Sequence, residues 1–549
     1  MYFRVKRTGQ YPYLQIVESF REGKSVKQRV LATVGRLDIL QHSGQLEGLI
    51  RSGARFCEKL AVIDAHNAGN TEPVSVKSIG PDLVFSRLWE ETHIGPIIRK
   101  LLSNRCFQFP LERAVYLTVL HRLFCPGSDR AAEKWRESFR IPGAESLELH
   151  HFYRTMGWLG EALDNQTDGL GQPHCNKDKI EEALFDRRRD LFSEIDMVFF
   201  DTTSIYFEGE GGQTLGEHGH SKDHRPDLKQ MIVGLALDVQ GRPICCQMWP
   251  GNTTDVKTLI PVVKDIKRRF GVHHICIVAD RGMMSKQVVK ALESQQVPCT
   301  YILGVRMRRV KDIAEHVLKS PKPFFEINPE RKKAKDPSPL KVKEVIHEGK
   351  RFIVCLNEEQ RRKDKIDREA IVEKLKSQLK KGDKTLVANK GFRKFLQNTS
   401  DEHFKIDEIK IKEDTQYDGM WVLQTNTDLE TESVALSYKQ LWMVEDLFRT
   451  MKSILETRPI YHKCDDTIRG HVFCSFLALV LRSELESRLA EKDISFEWKE
   501  ILRGLENLYE VETNFQGKKY LLRSRLIAQA KDAFVAAGVA IPPTAREIE

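Results

Sequence analysis

Three acidic residues stand in settings that suit them for chemistry. Asp201 closes the apolar run Met197-Val198-Phe199-Phe200 and is followed by Thr202-Thr203-Ser204. Asp280 closes a second, Ile275-Cys276-Ile277-Val278-Ala279, and is followed by Arg281-Gly282. Glu445 lies within a helical pattern running from Tyr438 to Lys452. Carboxylates offer the hard oxygen ligands that Mg²⁺ prefers. Two such ions about 3.5–4 Å apart can activate a nucleophile and stabilise a leaving oxygen. Two acids at strand ends and one on a helix therefore point to two-metal phosphoryl transfer on a nucleic acid. A carboxylate just past an apolar strand is held by a rigid sheet yet open at its edge, where α/β sheets place functional groups. Asp is also a common strand-ending turn residue, so neither Asp argues for chemistry by itself.

The helical pattern is sharper. Residues seven apart on a helix return to nearly the same face. Tyr438, Glu445 and Lys452 have that spacing, and Arg449 lies four beyond Glu445. In this reading Glu445 meets the metals, while Arg449 and Lys452 hold phosphate oxygens. Leu441, Val444, Phe448, Met451 and Leu455 form the neighbouring apolar stripe. Asp446 and Glu456 are rival acids off that face. An exposed helix with a Glu–Arg pair would give the same pattern.

A second polar segment, Gly219 to Gln230, mixes Lys222, His224, Arg225 and Lys229 with Ser221, which suits phosphate contacts. His218, His220 and His224 could suggest zinc, but no cysteine lies at ligand spacing. Thr254 or Asp255, after Trp249-Pro250-Gly251-Asn252-Thr253, reads as a helix N-cap.

The elements that must position these residues follow from periodicity. Residues 2–36 alternate apolar and polar positions around a turn at Glu22-Gly23-Lys24, as in a small antiparallel sheet. With eight basic and three acidic residues up to position 40, that sheet is a candidate DNA-contacting module or an ordinary meander. Residues 76–192 read as helical, with starts at Pro81-Asp82, Pro110-Leu111 and Ser128-Asp129. Strands are read at 196–201, 230–238, 243–249, 274–280 and 299–304, with Gln240-Gly241 as a tight turn and helices at 255–269 and 285–296. This is a mixed sheet covered by helices. Residues 305–430 interrupt that order with prolines, short strands (Ile346 to Leu356, Tyr417 to Thr425) and a charged helix from Asp367 to Lys381. Helices return over 433–490, with Ser433 or Ser437 as caps, and 491–549 reads as a helical C-terminal region.

Net charge is +9, unevenly distributed. Residues 306–394 carry 27 Lys+Arg against 14 Asp+Glu, which leaves the rest of the chain slightly negative. This suggests a polyanionic partner, although a solvated lysine-rich insertion has the same composition. The 11 cysteines include no CxxC pair, which argues for reduced thiols rather than disulfides or zinc. The longest apolar stretch, Val472 to Leu481, is too short to span a bilayer. The N-terminus lacks the apolar core of a secretory signal, so the chain reads as cytoplasmic, with no membrane partner.

Taken in order, Asp201 with its Thr pair, Asp280-Arg281-Gly282 and the Tyr438/Glu445/Lys452 pattern resemble the three catalytic blocks of DDE transposases of prokaryotic insertion sequences, in the IS-four superfamily. The last block is similar to that family's Tyr-x2-Arg-x3-Glu-x6-Lys signature, with Leu441 at the Arg position. The Ser221–Gln230 stretch and the N-terminal region also resemble one subgroup of it. The resemblance implies an RNase H-like mixed-sheet core at 193–304 and 431–490, split by a basic β-rich insertion at 305–430. It further implies an N-terminal β module at 1–75 and a helical DNA-end-binding region at 76–192. Asp201, Asp280 and Glu445 would hold two Mg²⁺ ions, with Mn²⁺ able to substitute. Tyr438, Arg449, Lys452, Lys222, His224, Arg225 and Lys229 would contact DNA. The substrates implied are terminal inverted repeats and target DNA, cut and joined by a homodimer that pairs two ends. Two rival readings are an RNase H-like nuclease that cuts without joining and a catalytically silent DNA-binding protein.

Overall fold

The computed structural model describes residues 1–22, 25–54, 56–71, 73–188, 197–272, 274–294, 298–308, 310, 312–329, 338–379, 394–398 and 404–548. Gly23 and Lys24 of the expected turn, Pro337, the last two residues of the expected charged helix (380 and 381) and the rest of the stretch 380–393 lie outside these. The chain divides into two compact units.

One unit comprises residues 1–83, 137–140 and 496–549. The alternation of residues 2–36 forms an antiparallel sheet of Tyr2–Thr8, Tyr11–Glu22 and Ser25–Arg36. A second sheet, missed in the sequence, pairs Pro73–Ser78 with Tyr509–Phe515, Lys518–Arg523 and Ala545–Ile548. The C-terminal region is therefore mixed, not helical: helices Trp498–Glu506 and Ala528–Ala537 alternate with three strands. The strands are short, four to seven residues each, which weakens any period-2 signal. Val62 of the helix Glu58–Asn67 packs with Tyr520, Leu522 and Ala545.

The other unit holds residues 84–136 and 141–495. Its elements are numbered here from Met197 onward. The strands are β1 (Met197–Tyr206), β2 (Gln230–Leu237), β3 (Pro243–Pro250), β4 (Cys276–Ala279), β5 (Thr300–Gly304), β6 (Phe325–Ile327), β7 (Leu340–His347), β8 (Lys350–Leu356) and β9 (Met420–Thr425). They form one nine-stranded mixed sheet in the order β6-β7-β8-β9-β5-β4-β1-β2-β3. β4 runs parallel to β1 and β5, and the other pairs are antiparallel. The inserted strands β6–β9 thus continue the sheet. The stretch Ile346 to Leu356, read as one strand, is a hairpin: Glu348 and Gly349 both have positive φ and form its two-residue turn.

Besides a short helix at Glu408–Thr415, the helices are α1 (Asp255–Phe270), α2 (Lys286–Leu292), α3 (Glu358–Leu379), α4 (Thr431–Lys439), α5 (Trp442–Ser453) and α6 (Asp465–Glu491). Ser433 and Ser437 lie inside α4, whose N-cap is Glu430. Val198 and Phe200 of β1, Ile277 and Ala279 of β4, and the apolar stripes of α1 and α2 form one core on one face of the sheet. The expected helical region supplies Leu111–Phe124 and Leu149–Gly160, which pack on the buried α6. A Cβ at Gly470 would strike the Met156 carbonyl, so this crossing needs a glycine. A hairpin at Ala162–Thr167 and Pro173–Cys175 was not foreseen.

The helix Asn176–Arg188, which leads towards β1, is anchored by buried charge. Arg269 of α1 is 2% exposed and lies 2.6 Å from Glu181, 2.8 Å from Glu182, 3.1 Å from Asp178 and 3.3 Å from Asp265. Lys177 pairs with Asp178 at 2.7 Å and donates to the Cys246 carbonyl of β3. Removing one partner of such a cluster leaves buried charge uncompensated. Arg269→Met should therefore destabilise the protein by about 3–5 kcal/mol, read as a fall in the urea unfolding midpoint. A change below about 0.5 kcal/mol would mean that the cluster is already relieved by protonation.

Candidate active site

Asp201 and Asp280 are set by the register of two parallel strands. Phe200 lies opposite Ala279, so the acids that follow stand at the same level on neighbouring strands, about 4.8 Å apart. Side chains alternate across a strand. Because Phe200 and Ala279 face the core with α1 and α2, Asp201 and Asp280 face the other side, where α5 packs against β1. Asp201 does not end its strand. The β-branched and hydroxyl residues Thr202 to Ile205 continue β1 to Tyr206, paired with β2.

The span from Tyr438 to Lys452 is two helices, not one. α4 ends at Lys439 and α5 begins at Trp442, with Gln440 and Leu441 between them. Tyr438 is thus in the last turn of α4 and Glu445 in the first turn of α5. Leu441, at the family's Arg position, is 8% exposed, which explains why an apolar residue is accommodated there. The break still brings Tyr438 and Glu445 to one place: Asp201, Asp280, Tyr438, Leu441 and Glu445 all line a cavity of about 420 Å³. The inserted segment contributes Ser338, Asn357, Glu359, Gln360, Lys363 and Trp421 to its wall, and Lys439 and Trp442 complete it. Lys439 lies 4.6 Å from the Trp421 ring centroid.

Each acid has a distinct environment. Tyr438 donates to Asp280 Oδ1 at 2.8 Å. Its phenol is held well above the usual range, first by burial and then by Asp280. Gly304, opposite Asp280 at the end of β5, leaves room for that contact, since an added Cβ would meet both the Tyr438 hydroxyl and the Arg281 amide. Arg306 donates to the carbonyls of Arg281 and Gly282 at 3.0 and 2.6 Å and so pins the loop after Asp280. Asp201 accepts from the Thr202 amide at 2.7 Å. Although it borders the cavity, its carboxyl is surrounded by protein on most sides. Its pKa is pushed up to about 7, first by burial and to a smaller extent by Asp280 and Asp255, against the pull of Lys222. Glu445 is exposed. Among the described residues, the one group of three candidate ligands with atoms all within 4.8 Å is Asp312, His347 and Glu348. Asp201, Asp280 and Glu445 are therefore more widely spaced than a single ion would require.

The expected phosphate contacts divide. Lys222 Nζ lies close to the acids, donating to the Thr202 carbonyl at 2.7 Å and pairing with Asp255 at 3.2 Å. Lys452 pairs with Asp223 at 2.8 Å, and Arg458 pairs with the same carboxylate. Arg449 pairs with Asp446 at 3.0 Å, Arg225 with Asp227 at 2.9 Å and Lys229 with Glu210 at 2.5 Å. His224 is exposed, with a left-handed backbone. None of Arg449, Lys452, His224, Arg225 and Lys229 lines the cavity.

Four contributors escaped the sequence reading: Asp255, Asp223, Gly304 and Arg306. Asp255 had a signal, since it opens α1 beside the strand pair that carries the acids. Reading it as a cap obscured this. Thr254 is the N-cap residue and makes no side-chain cap bond, while Asp255 accepts from the Thr202 hydroxyl at 2.7 Å and from Lys222.

The family described as Transposase DDE domain matches residues 193–481, and the IS1634 family transposase, N-terminal domain, matches residues 3–67. The first match spans more than half of the chain, which belongs to this family: it is an insertion-sequence DDE transposase, a metal-dependent DNA phosphoryl-transfer enzyme of DNA transposition. Among solved structures the chain is similar to a piggyBac transposase synaptic complex with hairpin DNA, at 12% identity over 78% of this chain and 79% of that one, with a TM-score of 0.37. It is also similar to a Mos1 transposase paired-end complex with left transposon end, at 12% identity over 40% of this chain and 77% of that one, with a TM-score of 0.14. No curated protein matches it. No helix among the described residues is long and apolar enough to cross a membrane.

Two expectations follow. A carboxyl whose folded pKa is raised loses stabilising effect as pH climbs from about 4 to about 7. In metal-free protein, Asp201→Asn should therefore gain stability relative to wild type across that window, by up to about 4 kcal/mol, seen by comparing urea midpoints at pH 5 and pH 8. A pH-independent difference would show that Asp201 ionises normally. Gly304→Ala should displace Tyr438 from Asp280 and slow DNA cleavage about a hundredfold with the fold retained by circular dichroism. Unchanged turnover would remove the Tyr438 contact from the mechanism.

Proposed function

We propose that this enzyme is an active transposase of the IS-four superfamily that cuts at the terminal inverted repeats of its element and joins the freed ends to target DNA. The observation that carries this reading is the convergence of Asp201, Asp280 and Glu445 on one cavity from two parallel strands and a helix start. The strand order β3-β2-β1-β4-β5, with β4 and β5 parallel to β1, supports an RNase H-like core. In this reading residues 305–430 are an insertion before the Glu helix, residues 1–75 and 76–192 serve DNA-end recognition, and 491–549 close the chain.

The donor set fits hard divalent cations. Asp201, Asp280 and Glu445 converge, Glu359 adds a fourth carboxylate to the wall, no His or Cys is among its described lining residues, and the carboxyl of Asp201, raised first by burial and then by neighbouring acids, is one that a cation would help to ionise. The spacing of the first three suits two ions better than one. Asp201, Asp280 and Glu445 would hold two Mg²⁺, with Mn²⁺ able to substitute, and these would supply Lewis-acid activation of the attacking and leaving oxygens. The chain's own residues do the rest. Tyr438 fixes the Asp280 carboxylate through its hydroxyl. Lys222, held by Asp255, offers a cation beside Asp201, where a scissile phosphate would lie. Lys363 and Lys439 line the cavity for a polyanion, while Arg225, His224, Lys229, Arg449 and Lys452 flank the path of the DNA backbone. Water would be the first nucleophile and the freed 3′-hydroxyl the second. The enzyme would act in the prokaryotic cytoplasm as a homodimer that pairs two ends.

The test is cleavage and strand transfer on DNA carrying the flanking inverted repeats with Mg²⁺, comparing wild type with Glu445→Gln. Cutting and joining by wild type, lost at least a thousandfold in the variant with DNA binding intact, is the expected result; removal of one electrostatic contributor to a transition state has effects of about this size. Cutting without joining would favour the nuclease, and binding without either would favour a silent DNA-binding protein.

A further inference from the structure

The inserted segment carries a second cluster of metal-ligating groups that the phosphoryl-transfer site does not use. The β7–β8 hairpin presents His347 and Glu348 at its tip. Across from it, Asp312 opens a π-helical turn, Ile313–Leu318, that carries His316. His347 Nε2 lies 3.1 and 3.0 Å from the two Asp312 carboxylate oxygens. His316 Nε2 is 3.8 Å from Asp312 Oδ1. The two imidazoles stack with centroids 5.0 Å apart and planes 17° from parallel. Asp312, His347 and Glu348 each offer a ligand atom, and those atoms all lie within 4.8 Å of one another.

We infer that Asp312, His316, His347 and Glu348 form a site for a borderline divalent transition metal, Zn²⁺ by chemical class, separate from the site of phosphoryl transfer. Two imidazole nitrogens with two carboxylates are a donor set for Zn²⁺, Co²⁺ or Ni²⁺ rather than for Mg²⁺ or Ca²⁺, which take oxygen. Zinc binds imidazole nitrogen and carboxylate oxygen at about 2.0–2.2 Å with tetrahedral geometry, so ligand atoms sit about 3.4 Å apart. The observed separations from Asp312 of 3.0, 3.1 and 3.8 Å fall on both sides of that value; Asp312, His347 and Glu348 are already grouped, and His316, which lies outside that group of three, would complete the set by swinging its exposed side chain towards it. The frame beneath is rigid: Ile313 and Val317 of the turn pack with Val345, Phe352 and Val354 of the hairpin in one buried cluster. The side chains above remain reachable, with Asp312 45%, His316 58% and His347 23% exposed.

The site is distinct in position. β8 runs from the hairpin tip at Lys350 to Leu356, and the next residue, Asn357, lines the catalytic cavity. Seven strand residues at about 3.3 Å each put the two places about 20 Å apart. A metal there would tie the turn to the hairpin and stiffen the outer edge of the inserted sheet.

The test uses full-length, tag-free, EDTA-stripped protein in excess Mg²⁺, titrated with Zn²⁺ by calorimetry and with Co²⁺ by visible absorption. One equivalent of Zn²⁺ at micromolar or tighter affinity is expected, with the intense visible bands of tetrahedral Co²⁺ and a rise in melting temperature. The affinity should fall at least tenfold in His347→Gln and be lost in the His316→Ala/His347→Gln double variant, both of which should otherwise melt like the metal-free wild type. Glu445→Gln should bind Zn²⁺ as wild type does, whatever its effect on DNA cleavage. Absence of binding in excess Mg²⁺, or binding that survives the double variant, would overturn the assignment.

Discussion

Asp201 and Asp280 owe their adjacency to the in-register parallel pairing of β1 with β4. Parallel strands cannot be joined by a tight turn, and here β2, β3 and α1 make the connection. What fixes the register is burial. Val198, Phe200, Ile277 and Ala279 fill the core against α1 and α2, and a slip of one residue in either strand would carry an acid into that core and an apolar side chain out of it. The hydrophobic face therefore holds the carboxylates in place from behind. The arrangement costs stability, because a carboxyl held in surrounding protein beside a second acid resists ionisation, as the raised pKa of Asp201 records. A site that disfavours its own negative charge is one that favours a cation.

The third acid depends on the inserted strands. β9 lies between β8 and β5, so the chain returns from the insertion directly onto the core sheet and enters α4 within a few residues. Tyr438 reaches Asp280 from the end of α4, and the interruption at Gln440 and Leu441 lets α5 start afresh with Glu445 in its first turn. β5 would otherwise be an exposed edge, and the inserted strands cover it. The insertion is thus a continuation of the catalytic sheet, and it also furnishes part of the cavity wall through Asn357, Gln360, Lys363 and Trp421.

These relationships explain what the sequence could reveal. Apolar runs ending in acids are local patterns, and β1, β4 and the helical character around Glu445 were legible from them. The seven-residue spacing placed Tyr438 and Glu445 together, as the cavity does, but by a continuous helix face that the structure does not have, and Lys452 stands apart on Asp223. Two helices joined at a break can meet at one cavity as well as one continuous face can, and period alone does not register a break of two residues. The signal at Asp255 was masked because an acid at a helix start has a sufficient local explanation. Its role arises only when Thr202 and Lys222, distant in sequence, come beside it. The C-terminal strands failed for a related reason: their partner, Pro73–Ser78, lies more than 400 residues away, and such short strands carry little periodicity of their own.

The cations expected to hold phosphate also sort by burial once their partners are known. Arg225–Asp227, Lys229–Glu210 and Arg449–Asp446 are surface pairs with at least one well-exposed member, and such pairs contribute at most about 1 kcal/mol. Exchanging the carboxylate for a DNA phosphate therefore costs these residues little. Lys452 and Asp223 are 11% and 6% exposed, and withdrawing the lysine would leave a buried carboxylate short of charge. Burial depresses the lysine's pKa while Asp223 raises it, so the pair is held by mutual need. Lys452 then serves first to tie the polar loop after β1 to α5, aligning Lys222 on one with Glu445 on the other. Arg458, which shares Asp223, is what would allow Lys452 to turn towards DNA without leaving that carboxylate unpaired.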